Sequence, residues 1–325
     1  MRNYFTIIFL FSLIFFLASC NAPRNNPLDP DNPDNALYSI EGTVVSSGLV
    51  SNPINNVQVF WSVDRINMTT DNNGYFKIGC KELKDGWLYF SRSGYSSDSV
   101  KISWGTEKKI SLQERLNVIP FIDSVYIYSS ILNKYSGPEN ELSFEITITD
   151  QDENIDSVFV QCPSLLINKS VQKITSTYFS EDFSDIDLNL TAFAEVIGKN
   201  FDIYAKTSSG KTFLVGSSNV KRIITDEIET ISPKDEDTLA THYPVLNWKR
   251  FLEGFNFNYM LEVYTDEPEP KLLWQKANIS SDEITGTVDI SINSTPDNNK
   301  FYWVIWCIDE FGDRSRSKPA GFVIP

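Results

Sequence analysis

The sequence predicts an all-β protein that consists of three β-sandwiches in series. Short runs that alternate between apolar and polar residues recur from about residue 36 to the end of the chain, which is typical of half-buried strands. Asn, Asp, Gly and Pro separate these runs, as expected for turns. Hydrophobic residues make up 41% of the sequence, so packed cores are feasible. About 300 residues follow the N-terminal segment, which suggests two or three domains.

The first nineteen residues have the layout of a secretory signal peptide. Arg2 precedes an apolar run from Tyr4 to Leu17, and the small residues Ala18 and Ser19 follow. The run is short for a membrane-spanning helix. We therefore predict that residues 1–19 are a signal peptide; an uncleaved membrane helix and plain secretion remain the alternatives.

The sequence Leu17-Ala18-Ser19-Cys20 resembles the lipobox of bacterial lipoproteins. The resemblance implies that cleavage occurs before Cys20, that its thiol takes a diacylglyceryl group, and that a fatty acid such as palmitate acylates the new amine. Each buried methylene contributes about 0.8 kcal/mol, so several chains anchor a protein firmly. The expected location is the cell envelope, as an outer-membrane lipoprotein that faces either the periplasm or the cell surface, with the membrane as a partner through the lipid.

Residues 20–35 are predicted to form a tether. Prolines at positions 23, 27, 30 and 33 alternate with Asn and Asp, and proline excludes both helix and central strand. An extended spacer of at most about 45 Å is expected. The stretch from Asn26 to Pro33 resembles a segment that follows the lipidated Cys in lipoproteins of Bacteroidota-like bacteria.

The net charge argues against some partners. The full chain carries 28 basic and 43 acidic residues, a net of −15, and removal of Arg2 with the signal makes it −16. Nucleic acid and anionic lipid headgroups are therefore not expected as partners. Cys80, Cys162 and Cys307 fall one in each predicted domain. They are interpreted as buried small hydrophobes, with one interdomain disulfide as the alternative.

Residues 36–116 form the first predicted sandwich. Strands are expected at 39–45, 57–63, 75–78, 87–92, 99–102 and 109–112, with a turn at 71–74. Five ordered pieces of this region resemble the carboxypeptidase regulatory-like (transthyretin-like) domain: residues 40–45, 53–59, 70–78, 94–95 and 110–112. Asn56 stands where that family often has Gly, and Asn also tolerates left-handed backbone. The resemblance implies a seven-stranded Greek-key sandwich without catalytic activity, which acts as a spacer or docking module.

Residues 117–225 form the second predicted sandwich. Leu142, Phe144, Ile146 and Ile148 alternate strictly, so residues 142–148 are expected to be a half-buried strand. Residues 155–160 are expected to pair with it as a hairpin. Another strand is expected at 201–205, and 191–197 is a candidate short helix. The pattern resembles an immunoglobulin-like or fibronectin type III sandwich.

The predicted hairpin turn is a weak candidate for a metal site. Asp150, Asp152, Asn154 and Asp156 place oxygen ligands at alternate positions, as calcium loops do. No Gly occupies the sharp bend and no Glu follows at the twelfth position. A solvated turn is the preferred interpretation.

Residues 226–325 form the third predicted sandwich. Its pieces resemble a bacterial extracellular fibronectin type III domain over the full length of the region: Ser232-Pro233, the strand from Pro244 to Trp248, the strand with Tyr259, Leu261 and Val263, the segment from Lys300 to Gly312, and the closing strand from Gly321. The family usually has polar residues at two positions of the penultimate strand, where this chain has Val304 and Trp306.

Those two residues predict an apolar patch on the outer face of a sheet. Alternation turns Trp303, Ile305 and Cys307 inward, and therefore Val304 and Trp306 outward. We define the four outward residues of two neighbouring strands as the Trp306 patch: Met260, Tyr264, Val304 and Trp306. Packing against the second domain or a loop of its own domain is the preferred interpretation. The alternatives are a protein-binding surface and an aromatic platform for a sugar, which Trp274 and Tyr264 would extend.

Recognisable catalytic chemistry is missing from the sequence. His242 is the single histidine, so zinc spacing and a nucleophile with a supporting base are not found. No Gly-rich phosphate loop occurs, and no cofactor is expected. The sequence therefore predicts a non-enzymatic, lipid-anchored envelope protein that presents β-sandwiches for adhesion, protein interaction or scaffolding. The alternative is a glycan-binding accessory lipoprotein of a polysaccharide uptake or degradation system.

Overall fold

The structure, a computed structural model, describes residue 32, residues 36–292 and residues 299–325. The predicted signal peptide, Cys20 and nearly all of the tether lie outside the described residues. The chain divides into two compact units, residues 1–119 and residues 120–325. Strands dominate both units, so the predicted all-β class is confirmed.

The described part of the first unit is a β-sandwich of seven strands. These are β1 (Tyr38–Ser46), β2 (Gln58–Trp61), β3 (Ile66–Thr69), β4 (Tyr75–Cys80), β5 (Gly86–Ser91), β6 (Asp98–Ile102) and β7 (Lys109–Leu116). One sheet has the order β4-β1-β7 and the other β3-β2-β5-β6. The predicted strand 57–63 is divided: β2 ends at Trp61, and the chain turns back as β3.

Local chemistry explains the turns of this unit. The Asp71 carboxylate accepts hydrogen bonds from the backbone amides of Asn73 (2.8 Å) and Tyr75 (2.9 Å). Gly74 has φ +71°, and a Cβ there would lie 2.4 Å from the Val44 carbonyl oxygen, so only glycine fits. Asn56 has φ +54°, which confirms the expected left-handed turn.

The second unit contains two sandwiches. The first of them has β8 (Phe121–Leu132), β9 (Glu139–Thr149), β10 (Ile155–Cys162), β11 (Ile167–Val171), β12 (Tyr178–Ser184), β13 (Asn200–Thr207) and β14 (Thr212–Asn219). The second has β15 (Thr230–Ser232), β16 (Asp237–Thr238), β17 (Val245–Trp248), β18 (Phe257–Thr265), β19 (Leu272–Ser280), β20 (Thr285–Thr287), β21 (Lys300–Asp309), β22 (Arg314–Arg316) and β23 (Ala320–Val323). Short 3-10 helices occupy Pro163–Leu165 and Phe193–Val196, the latter within the candidate helical stretch.

The predicted hairpin between residues 142–148 and 155–160 is wrong. β9 pairs with β8 and β12, whereas β10 pairs with β11 and β13 in the opposite sheet. The apolar faces of β9 and β10 belong to one core cluster, so the turn at 150–154 leads the chain from one layer to the other. Alternation identified both strands, but it does not distinguish pairing beside a strand from packing across a core.

One sheet continues through both sandwiches of the second unit. Its strand order is β12-β9-β8-β22-β21-β18-β19, and β22 pairs with β8 in parallel, Arg314 opposite Ser130 and Arg316 opposite Leu132. Each sandwich nevertheless encloses its own apolar cluster. The regions predicted as separate domains, 117–225 and 226–325, are thus parts of one compact unit that begins at Pro120.

Within the described part of the chain, no helix combines the length and the apolar character that crossing a membrane requires.

Candidate functional sites

The Trp306 patch lies on the predicted face but is not exposed. β18 and β21 pair with Met260 opposite Trp306 and Glu262 opposite Val304, so the predicted pairing is confirmed. Trp303, Ile305 and Cys307 point into the core, also as predicted. However, Val304 is fully buried and Trp306 is only 8% exposed. The patch is therefore covered within the protein, as the preferred interpretation expects, and is not an open apolar surface.

Charged side chains of neighbouring strands cover the Trp306 patch. The guanidinium groups of Arg314 and Arg316 lie 5.1 and 5.7 Å from the Trp306 ring centroid, within range of cation–π attraction. The indole Nε1 donates to the Glu262 Oε2 at 2.7 Å. Glu262 is itself 6% exposed, so both the ring and its polar edge have partners inside the protein.

Tyr264 and Met260, two other members of the patch, also contact side chains beside it. The Tyr264 hydroxyl donates to the Glu262 Oε2 at 2.9 Å, and Gln275 Nε2 donates to Glu262 Oε1 (2.9 Å) and lies 3.2 Å from the Met260 sulfur. Burial, together with the Glu262 carboxylate, raises the pKa of the Tyr264 hydroxyl well above its usual range. Tyr264 stacks on Tyr302 with ring centroids 5.2 Å apart. These side chains form an internal network rather than a binding platform.

Arg314 carries this network into the neighbouring sandwich. Its Nε donates to the Ser130 Oγ at 2.9 Å, and one terminal nitrogen lies 3.3 Å from the Tyr128 hydroxyl. Tyr128 donates to Glu145 at 2.7 Å. The cover over Trp306 is therefore also part of the joint between the two sandwiches.

The joint is centred on Asp313, which is fully buried. Its Oδ1 accepts from the Ser129 backbone amide (2.8 Å) and hydroxyl (3.0 Å), and its Oδ2 accepts from the Arg222 amide (3.1 Å). Burial raises the pKa of the Asp313 carboxyl, and the hydrogen bonds from Ser129 and Arg222 oppose that shift. One carboxylate thus joins β8, the linker after β14 and the start of β22.

A second acid supports the joint. Asp309 Oδ2 lies 2.8 Å from the Arg222 Nε, and Asp309 Oδ1 accepts from the amides of Phe311 and Asp313. Burial raises the pKa of Asp309, and Arg222 is among the groups that lower it. The Arg222 guanidinium also lies 4.3 Å from the Phe255 ring centroid. Such a network is costly to break and holds one geometry.

Two shallow clefts flank the joint. One, of about 600 Å³, lies between Tyr135, Tyr302, Arg316 and the carboxylates of Asp235, Glu236 and Asp266. The other, of about 520 Å³, includes Tyr126, Phe311, Glu145 and Lys221. Neither lining contains a histidine or a cysteine, the groups most often used for nucleophilic or proton-transfer chemistry.

The weak metal candidates do not converge. Asp150 bonds to its own turn, accepting from the backbone amides of Asp152 (3.3 Å) and Asn154 (2.8 Å). Asp152 and Asn154 are buried, whereas Asp156 is exposed. Across the described ranges, no cluster of three or more acidic, His or Cys side chains fits a metal ion.

His242 and the cysteines have structural surroundings. The exposed His242 lies with Nδ1 2.9 Å from the Ile292 carbonyl oxygen. Cys80, Cys162 and Cys307 are buried free thiols, so the interpretation as small hydrophobes is confirmed and the alternative of an interdomain disulfide is wrong. Burial raises the pKa of the Cys80 thiol to about 12, which leaves it protonated and unreactive.

The first unit has an open aromatic surface that the sequence reasoning missed. We define the aromatic face as the nine outward side chains of the sheet β3-β2-β5-β6: Gln58, Phe60, Asn67, Thr69, Trp87, Tyr89, Ser91, Ser99 and Lys101. Phe60 is 37% exposed, and Trp87 and Tyr89 are each 44% exposed. The signal was present in the sequence, because these rings alternate with the core residues Val59, Trp61, Leu88 and Phe90.

Register brings the three rings together. Phe60 lies opposite Tyr89 on neighbouring strands, and their ring centroids are 6.2 Å apart with a 33° tilt. Trp87 follows on the same side of β5, two residues from Tyr89, which corresponds to about 7 Å along a strand. The result is a group of exposed rings on the same side of two neighbouring strands.

Comparisons with known proteins found similar solved structures at low identity. No family model and no curated protein matches the chain. Similar solved structures include chicken CNTN1 fibronectin domains FN1–FN3, with 9% identity, 82% of this chain and 90% of that chain covered, and a TM-score of 0.28. Fibronectin(III)-like modules of Clostridium thermocellum CbhA share 12% identity over 63% of this chain and 93% of that chain, with a TM-score of 0.27.

A third similar structure concerns host cell surface retention of a 1.5-MDa bacterial ice-binding adhesin, with 11% identity, 89% of this chain and 99% of that chain covered, and a TM-score of 0.25. At these identities and scores the likeness carries no inference about family or ligands. The strands and sheets themselves show that the chain is a β-sandwich protein.

Proposed function

We propose that this is a non-enzymatic, lipid-anchored protein of the bacterial outer membrane that presents β-sandwiches for interaction. Cys20 carries the lipid, and residues 20–35 form the tether. The protein's contribution is mechanical and adhesive, because it holds interaction surfaces away from the membrane on a stiff support.

The observation that carries this proposal is the joint at Asp313. A sheet that continues from β12 to β19, and a carboxylate bonded to Ser129 and Arg222, resist bending between the two sandwiches of residues 120–325. Domains that open around a substrate have looser interfaces, since the interface must break in each cycle. A stiff pair of sandwiches suits presentation better than catalysis.

The anchor is tested in the producing bacterium with Cys20→Ala. We expect the native protein to take up labelled palmitate and to fractionate with the outer membrane. The variant should take up no label and remain soluble. Globomycin, which inhibits the lipoprotein signal peptidase, should make the native full-length precursor accumulate. Palmitate labelling of Cys20→Ala, or unchanged processing in globomycin, would contradict the proposal.

Protease treatment of intact cells then tests presentation. Digestion of the native protein without lysis, with a periplasmic marker left intact, is the result expected for a surface-facing adhesive role. Protection until the outer membrane is permeabilised would instead support envelope scaffolding from the periplasmic side.

A further inference from the structure

We infer that the aromatic face of the first unit is a binding site for an uncharged polysaccharide chain. The inference deepens the proposed function, because it names the ligand class that one of the presented surfaces takes. This surface is not the Trp306 patch, which neighbouring side chains cover.

The shape of the face selects the kind of ligand. Small molecules bind in concave pockets that enclose most of their surface, whereas Phe60, Trp87 and Tyr89 lie on the open outer side of a sheet. An open site of this kind gains affinity only from an extended ligand that contacts several positions at once. The rings along β5 and across to β2 provide such a series of contacts.

The chemistry of the rings fits a sugar. One side of a pyranose ring presents C–H groups, and these pack against the electron-rich face of an aromatic ring. The surrounding hydroxyls of the sugar need donors and acceptors at the rim. Gln58, Asn67, Thr69, Ser91 and Ser99 supply amide and hydroxyl groups at that rim.

The charge of the face distinguishes a neutral glycan from other partners. None of its nine side chains is a carboxylate, although the chain has 43 acidic residues, and Lys101 is its one cation. It contains no aliphatic residue either. Protein interfaces also use aromatic rings, but they combine them with Met and Arg. The aromatic face has neither, and apart from Lys101 its rings are accompanied only by amide and hydroxyl groups, which favours a neutral glycan.

The experiment is affinity gel electrophoresis of the full mature chain through gels that contain galactomannan, xyloglucan or amylopectin. Polygalacturonate serves as the anionic comparison. We expect at least one neutral polymer to retard the protein, with Trp87→Ala and Tyr89→Ala each weakening binding about tenfold, as loss of a central aromatic contact does. Tyr89→Phe keeps the ring and should bind within about twofold of the native chain.

The matched control is Tyr135→Ala. Tyr135 is 79% exposed and lines the 600 Å³ cleft of the second unit, so its loss should leave the retardation unchanged. Near-ultraviolet circular dichroism of every variant establishes that it is folded.

Four results would overturn the inference. They are no retardation by any neutral polymer, retardation by polygalacturonate alone, equal losses in Tyr135→Ala and Trp87→Ala, and a native dimer that Trp87→Ala dissociates while no glycan binds. None of them bears on acylation of Cys20 or on protease exposure, so failure here is separable from failure of the proposed anchor.

Discussion

Two sheet surfaces carry outward aromatic residues, but only one of them is exposed. They are the outer face of the β18–β21 pair and the aromatic face of the first unit. In both, alternation turns aromatic residues away from the core: Trp306 in one, and Trp87 and Tyr89 in the other. Trp306 is 8% exposed, whereas Trp87 and Tyr89 are each 44% exposed. The neighbours make the difference. Long charged side chains, Glu262 and Arg316, fold over Trp306. In the first unit, short uncharged residues lie opposite Phe60 and Tyr89, and Trp87 remains exposed although Lys101 lies opposite it.

The comparison indicates what decides whether outward aromatic residues on a sheet are covered or stay accessible to a ligand. An outward aromatic residue remains available when no long side chain on the strands beside it is held across the ring by bonds of its own. Arginine and glutamate both reach and bond, because their apolar stems cover the ring while their charged ends find partners. Serine and asparagine are too short to do so.

The largest expected effect is at the joint between the two sandwiches, next to the cover over Trp306. Asp313→Ala removes the acceptor of three hydrogen bonds and should lower the free energy of unfolding of residues 120–325 by about 3 kcal/mol. Urea unfolding of the mature chain, followed by tryptophan fluorescence, measures it. Asp156→Ala, at an exposed position of β10, should change stability by less than about 0.5 kcal/mol. A loss below about 1 kcal/mol in Asp313→Ala would mean that the joint is not the stiff element described.

Uncovering Trp306 should have the next largest effect. Glu262→Ala removes the acceptor of the Trp306 indole and the Tyr264 hydroxyl, at a cost of about 2 kcal/mol in stability. Acrylamide should quench the variant more strongly than the native protein, because the indole edge becomes wet. Glu262→Gln keeps an acceptor and should lose less than half as much. Unchanged quenching in Glu262→Ala would show that the arginines cover the ring without help.

The stability of the second unit should also depend on pH, through the two buried acids of the joint. Burial raises the pKa of Asp313 and Asp309 in the folded state above the value of about 3.9 expected in the unfolded chain. The folded state therefore binds more protons just above pH 4, so the contribution of these acids to stability is largest below that pH and falls as the pH rises through the raised values.

Urea titrations between pH 4 and 7 measure this effect. Asp313→Asn cannot titrate and should flatten the decline in stability of the second unit. If the native and variant profiles run parallel, Asp313 does not contribute to the pH dependence.

The smallest effect is expected on the open face. Trp87→Ala and Tyr89→Ala should each change the free energy of unfolding by less than about 1 kcal/mol, because both side chains are partly solvated already. Thermal unfolding measures this. A larger loss in either variant would mean that the rings support the sandwich, and it would weaken the contrast with Trp306.

The periodicity of the sequence predicted a great deal at the level of single strands. Tyr259, Leu261 and Val263 point into the core beside Trp303 and Ile305, as expected. Relations between distant strands were not predictable in the same way. The turn at 150–154 looked like a hairpin because alternation carries no information about layers. The cover over Trp306 depends on Arg314 and Arg316, whose short strand shows no periodicity.

The aromatic face was predictable in principle. Phe60 lies between Val59 and Trp61, and Trp87 and Tyr89 alternate with Leu88 and Phe90, so an outward position follows directly once the strands are assigned. What the sequence does not contain is the lateral order of β3, β2, β5 and β6. That order places Phe60 against Tyr89 and short polar side chains around them.

The parallel pairing of β22 with β8 has a consequence for the order in which the chain folds. Ser129 and Ser130 bond to Asp313 and Arg314, each 184 residues later in the sequence. While the chain folds, the sandwich of β8–β14 can close its own core before β22 is in place, and one border of β8 then exposes unpaired backbone groups. Such a border invites association with other chains. Pairing of residues 313–316 with β8 covers this border. Truncation before Asp313 should therefore produce aggregation rather than a shorter folded protein.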